Sequence, residues 1–181
     1  MEYGNIGINK GAMFMFNFFK KKDKKEDKIT EEKLHAIVDG EAISIESVPD
    51  AVFSQKMMGD GFAVKPTDST IYSPVEGTIS NVFPTKHAIG ITTKGGLEIL
   101  VHIGIDTVEL DGKPFETTVS EGDTVTPSTV ISVTDFNQLK ESGKDSTVIV
   151  IVTNMDKVEH VDISKLGSVK HSDEIGTVTL K

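Results

Sequence analysis

His87 and His102 are the two residues of this chain whose type and spacing could do chemistry together. Leu97-Glu98-Ile99-Leu100-Val101-His102-Ile103 alternates at period two, with Leu97, Ile99, Val101 and Ile103 on one face and Glu98, Leu100 and His102 on the other. An antiparallel strand with one buried face reads this way, so His102 is expected to point out of the core beside an exposed Leu100. Gly104 follows closely and leaves backbone next to the imidazole unscreened by a Cβ. His87 opens a second run, His87-Ala88-Ile89-Gly90-Ile91-Thr92-Thr93-Lys94, and Gly95-Gly96 supplies a tight turn between the two. Folding that hairpin brings both histidines towards the same end of a strand pair. Two neutral imidazoles at close range support either metal binding or nucleophilic transfer at neutral pH. A lone strand histidine is usually structural or merely solvated. Its projection between Leu100 and Gly104, with a second histidine nearby, favours the functional reading.

The elements that must hold this pair are strands. Valine, isoleucine and threonine are abundant and long helical patterns nearly absent, which favours an all-β class. A chain of 181 residues fits one domain with a sizeable core. The absence of cysteine excludes disulfides, thiolate zinc sites and cysteine nucleophiles, and is compatible with a reducing cytoplasm. No apolar run is long enough to span a bilayer, and no signal peptide is evident. The net charge of −9 is unevenly spread, because Lys20 to Lys28 holds six lysines against three acids. The rest is acidic and the chain has no arginine, which makes it a poor nucleic-acid binder and better matched to a basic protein partner.

Residues 1–14 show no periodicity and are expected to be a disordered extension. Lys10-Gly11-Ala12 can be encoded with an AAGGAG ribosome-binding sequence just before Met15, so Met15 is a candidate true start and residues 1–14 a candidate untranslated stretch. Residues 15–30 form a flexible tail, rich in Phe and Lys. Its aromatics followed by lysines (residues 15–28) suit peripheral contact with an anionic membrane, against the plainer alternative of a solvated tail. The folded domain is expected over 31–181. Ala42 to Val48 reads as a strand ended by Pro49-Asp50, and Phe53 to Met58 as a short apolar segment closed by Gly59-Asp60-Gly61. Phe62 to Lys65, Thr70 to Ser73, Gly77 to Phe83 and Val130 to Val133 read as further strands. Asp135 to Ser142 is the one helix the pattern supports, with Asp135 as N-cap and Gly143 beyond its end. Thr147 to Val152 is nearly continuous in apolar residues and therefore a central strand, and Glu174 to Leu180 closes the fold. Many short strands between frequent turns indicate a sandwich or barrel.

Gly96-Leu97-Glu98-Ile99-Leu100-Val101-His102-Ile103-Gly104-Ile105-Asp106-Thr107-Val108 resembles the active-site signature of the glucose-type enzyme IIA proteins of the bacterial phosphotransferase sugar-uptake system. The likeness continues through Pro49 to Gly61, Ser73-Pro74-Val75-Glu76-Gly77-Thr78 and Thr85-Lys86-His87-Ala88, and covers essentially residues 31–181. The resemblance implies an antiparallel β-sandwich of duplicated-hybrid-motif type with one or two very short helices. It implies a cytoplasmic phosphocarrier, in which His102 takes a phosphoryl group from HPr and passes it to the IIB domain of a glucose-type IIBC permease. His87 would hydrogen-bond the phosphoryl oxygens, Thr85 would orient His87, and the Gly104 carbonyl would fix the tautomer of His102. Phe53, Met57, Met58, Phe83, Leu100 and Val108 match apolar rim positions, although each taken alone reads as core, Phe53 and Phe83 above all. Met57-Met58 departs from the branched aliphatics usual there, although methionine suits a surface that meets several partners. Asp50 and Asp106 would flank the site and meet basic residues of partners, with turn chemistry as the plainer alternative. The resemblance implies no resident cofactor. It admits a zinc ion at His87 and His102 completed by a partner, and regulatory protein targets as well.

Two other functions can be weighed from the residues. A zinc hydrolase normally needs three protein ligands, and the His-x-His and His-Glu-x-x-His spacings are absent. A biotin or lipoate carrier presents a lysine at a hairpin turn; here Lys94 lies beside Gly95-Gly96 without a Met-Lys-Met setting. His35, His160 and His171 have no such context and read as surface residues, and Glu31-Glu32 and Asp173-Glu174 as a solvated face.

Overall fold

The computed structural model describes residues 28–181. The expectations placed on residues 1–27, from the untranslated extension to the membrane-contacting tail, lie outside the described residues. In chain order the strands are β1 (Glu31–His35), β2 (Gly40–Ser44), β3 (Asp60–Pro66), β4 (Thr70–Tyr72), β5 (Gly77–Val82), β6 (Ala88–Thr93), β7 (Glu98–Ile103), β8 (Phe115–Thr117), β9 (Thr124–Val125), β10 (Val130–Thr134), β11 (Val148–Val152), β12 (Val158–Ile163), β13 (Gly167–Val169) and β14 (Glu174–Leu180). Helix α1 (Ala51–Ser54) lies between β2 and β3, and α2 (Phe136–Glu141) between β10 and β11. All strand pairings are antiparallel. They form an eight-stranded sheet in the order β13-β2-β3-β11-β7-β6-β5-β9 and two three-stranded sheets, β1-β14-β12 and β4-β10-β8. The fold is an all-β antiparallel sandwich with two very short helices. No helix among the described residues is long and apolar enough to cross a membrane.

The central strand is β11, flanked by β3 and β7, and all five of its residues are buried. A strand in that position must be apolar on both faces, which is why 147–152 carries no polar alternation. Val148, Val150 and Val152 enter the main core together with Phe62, Val64, Ile99, Val101 and Ile103. Ile149 and Ile151 face the other way and build a second cluster with Ala63, Ile45, Val48, Phe53 and Ile105. That second cluster is the floor on which the histidines rest.

Covering it requires the chain to leave the sheet early. The expected strand over Ala42–Val48 therefore ends at Ser44, and Ile45–Ser47 forms a 3-10 turn that folds Ile45 and Val48 over the outer face of the sheet. Burial of these side chains, each worth about 1.5–3 kcal/mol, outweighs the strand propensity of the segment. The apolar segment expected from Phe53 onward begins as α1, whose N-terminus is capped by Asp50. The Asp50 carboxylate accepts from the backbone of Val52 (2.8 Å) and Phe53 (3.3 Å). Asp135 caps α2 by accepting from the Gln138 amide, as its position before the helical pattern implied.

The β6–β7 hairpin forms where the sequence placed it, with a turn one residue longer than Gly95-Gly96 alone. Ala88 opposes His102, Ile91 opposes Ile99, and Lys94-Gly95-Gly96 makes the turn. Glu32 of β1 secures that turn by accepting from the Gly95 amide and the Thr93 hydroxyl. The other end of the hairpin, where His87 and His102 lie, is thereby aligned from the far side.

Candidate functional site

The face assignment of β7 holds residue by residue: Leu97, Ile99, Val101 and Ile103 are fully buried, Glu98 is exposed, and His102 is half-buried on the outer face. Leu100 is the exception. It packs partly against the second apolar cluster and is not exposed, because Ile45, Val48 and Phe53 have folded over that face.

The imidazoles of His87 and His102 meet edge to face, with ring centroids 4.9 Å apart and an interplanar angle of 79°. Each has its Nδ1 tied to the protein. His102 Nδ1 lies 2.8 Å from the Gly104 carbonyl oxygen. A carbonyl can only accept, so Nδ1 carries the proton and Nε2 is left with the lone pair. His87 Nδ1 lies 2.6 Å from the Thr85 hydroxyl. When that hydroxyl donates, His87 Nε2 carries a proton and becomes a hydrogen-bond donor. The site can then present one nucleophilic nitrogen beside one N–H donor.

The backbone sets this up with little freedom. Gly104 adopts φ +74°, and a Cβ there would come within 2.5 Å of Thr107 Cγ2 and 2.8 Å of the Asp145 carbonyl oxygen. Only glycine lets the chain reverse at once after His102 and return a carbonyl to its ring. Thr107 closes the same turn, its hydroxyl donating to the Ile103 carbonyl.

Aromatic rings flank the pair. Phe53 lies 5.1 Å from the His102 ring at 60°, and Phe83 lies 5.6 Å from His87, edge on. Phe53 is only 7% exposed, so of the two roles open to it, rim or core, it takes the core one and serves as floor. Phe83 is half-buried. Met57 (69% exposed), Met58 (43%) and Val108 (49%) do stand out into solvent. Val52, at 40%, joins the exposed apolar residues and was missed by the sequence reading. Its signal was available: Asp50 as an N-cap starts a turn of helix in which Phe53 goes inward and Val52 outward. The floor residues Ile45, Val48 and Ile105 were also missed, since nothing local distinguishes them from main-core residues.

Burial dominates the electrostatics. Desolvation, followed by the neighbouring His87, pushes His102 down to about 4, against the opposing pull of the Gly104 carbonyl, Asp50 and Asp106. Burial also lowers His87, which keeps 8% of its surface open. Both rings are neutral near pH 7. Asp106 is exposed, in the left-handed region at φ 57°, with its side chain making no capping bond. Asp50 combines its capping bonds with proximity to His102, so the turn role weighed for it is present. No group of three His, Cys, Asp or Glu side chains that could hold a metal ion occurs among the described residues, so a zinc hydrolase lacks its third protein ligand there.

Of the remaining histidines, His160 and His171 are exposed as expected and His35 is not, while His35 and His171 make contacts the sequence did not suggest. His35 is half-buried with Nδ1 3.3 Å from the Pro74 carbonyl oxygen. His171 stacks on Tyr72 at 4.1 Å and pairs with Asp39 at 2.8 Å.

Residues 32–158 match the family model for the phosphoenolpyruvate-dependent sugar phosphotransferase system, EIIA 1. The chain is 44% identical over 137 residues to the glucose-specific EIIA component of Staphylococcus epidermidis, covering 76% of this chain and 82% of that protein. It is 45% identical over 149 residues to the glucose-specific EIICBA component of Streptococcus pneumoniae, covering 82% of this chain but 20% of that longer protein. Among solved structures, glucose permease IIA from Mycoplasma capricolum superposes with a TM-score of 0.77 at 38% identity, over 81% of this chain and 95% of the other.

Proposed function

Given that this chain belongs to the EIIA 1 family of the phosphoenolpyruvate-dependent sugar phosphotransferase system, we propose that it accepts a phosphoryl group from HPr on His102 Nε2 and passes it to the IIB domain of a glucose-type permease. A phosphocarrier role in sugar transport comes with the family. The donor, the acceptor and the residues that act are this reading's own. The observation that carries it is the His87–His102 pair with both Nδ1 atoms engaged by the chain.

In the first half-reaction the Nε2 lone pair of His102 attacks phosphorus. A new N–P bond forms as the bond to HPr breaks, and HPr keeps the bonding electrons. In the second, the IIB nucleophile attacks the same phosphorus, the N–P bond breaks, and Nε2 recovers its lone pair. Such transfer depends on positioning and electrostatics more than on covalent help from the protein. The Gly104 bond supplies the positioning. His87 Nε2–H, with Thr85 donating behind it, supplies a hydrogen bond to the phosphoryl oxygens. The apolar floor under His102 limits access of water to the phosphohistidine. Val52, Met57, Met58 and Val108 offer an apolar surface to partners, with Asp106 at its acidic margin.

Incubation with phosphoenolpyruvate, enzyme I and HPr tests the reading. An acid-labile, base-stable gain of one phosphate is expected, lost in His102→Ala. Undiminished labelling of His102→Ala would refute it.

A further inference from the structure

The chain contains no cysteine, so its oxidisable sulfur lies entirely in methionine. Among the described residues there are three methionines. Met155 packs against the main core, whereas Met57 and Met58 are the most solvent-open and stand together. The loop that carries them is built directly onto the site. The Met57 amide donates to the Val52 carbonyl, folding the loop back on α1, and α1 places Phe53 against the His102 ring. Lys56, at φ 56°, pairs with both Glu46 and Asp60 and so fixes the same loop to its neighbours on each side. The two thioethers are therefore held on the surface, on a loop tied through α1 to the Phe53 ring that packs on His102.

We propose that Met57 and Met58 form a peroxide-sensitive modification site, whose conversion to methionine sulfoxide blocks docking of the phosphoryl donor and acceptor. This rests on the reading of His102 given above. In the step itself a sulfur lone pair attacks one peroxide oxygen. An S–O bond forms and the O–O bond breaks, and the proton given up by the transferred oxygen ends on the second oxygen, which leaves as water. Sulfur loses two electrons and the peroxide gains them. The product replaces a soft apolar side chain by a strongly polar one at a surface that must shed water to meet a partner. Two adjacent sulfoxides desolvate poorly, so the loss falls on association. The His102 ring, held by the Gly104 carbonyl, keeps its chemistry.

The test treats the full chain with hydrogen peroxide and maps oxygen addition by peptide mass spectrometry. Phosphoryl transfer from HPr is then measured over a range of HPr concentrations. Met57 and Met58 are expected to oxidise ahead of Met155, with kcat/KM falling about tenfold mainly through KM. The methionine sulfoxide reductases, one for each epimer, should restore it. A Met57→Leu/Met58→Leu double variant retains Met1, Met13, Met15 and Met155 and serves as its own reference. The ratio of its rates before and after peroxide should stay near one. Equal loss in wild type and double variant would overturn the proposal, as would unchanged transfer by protein shown to carry both sulfoxides. These failures differ from failure of the reading beneath them, which is labelling that survives His102→Ala in untreated protein.

Discussion

The Gly104 carbonyl oxygen sits 2.8 Å from His102 Nδ1, and this one contact decides which ring nitrogen is free to react. It also couples a backbone position to a chemical one, because residue 104 can reach that place only at φ +74°. Gly104→Ala is expected to lower stability by about 1–3 kcal/mol from strain and overpacking, and to slow His102 phosphorylation under conditions where the variant stays folded. Denaturant titration and the HPr-dependent rate measure the two effects. Wild-type behaviour in both would show that the left-handed turn is not required.

Thr85 acts on the reaction through His87. Removing its hydroxyl frees the His87 tautomer without touching His102. Thr85→Val is expected to slow phosphoryl transfer by about fivefold, the worth of one neutral hydrogen bond, while His87→Gln slows it further. If Thr85→Ser recovers the rate and Thr85→Val does not, the hydroxyl is responsible. Full activity in Thr85→Val would remove Thr85 from the site.

Much of this arrangement could be read from the letters, and the part that could not has a physical reason. Period-two alternation on β7 put Leu97, Ile99, Val101 and Ile103 inside and His102 outside, because one face of that strand meets the main core and the other does not. Gly95-Gly96 marked the hairpin that brings His87 beside His102, while its register depends on Lys94 joining the turn. The turn at Ile45–Ser47 was hidden, since Ala42 to Val48 alternates well enough for a strand and only the need to cover the apolar floor of Ala63, Ile149 and Ile151 pulls it away. Phe53 could be read as rim or as core for the same reason. A rim and a floor differ by what lies underneath, and that is a long-range fact. The duplicate roles of Asp50 were visible only as alternatives, because capping and proximity to His102 depend on where α1 lands.

Asp106 is the acid best placed to meet a basic partner. It is exposed, and it raises His102 only weakly against desolvation. Asp106→Asn is expected to slow phosphorylation by HPr at low ionic strength, with the difference shrinking as salt screens the attraction. The slope of log rate against ionic strength is the quantity to compare. Parallel slopes for the variant and wild type would rule out an electrostatic contribution from Asp106.

The low proton affinity of His102 makes two claims about pH. An ordinary histidine half-protonates near 6.5, whereas His102 does so at about 4, so the acceptor rate should stay level as pH falls from 8 to about 5.5. Stability follows with a definite sign. Between about 4 and 6.5 the unfolded chain binds a proton at this position that the folded chain refuses, so the folded state loses ground as pH falls through that window and regains it above. The depression corresponds to as much as about 3 kcal/mol. His102→Ala should flatten the corresponding part of the stability curve between pH 4 and 6.5. The Cε1 proton of His102, followed by NMR, gives the midpoint directly. A midpoint near 6.5 would mean that the ring is solvated and that its lone pair is not held ready by burial.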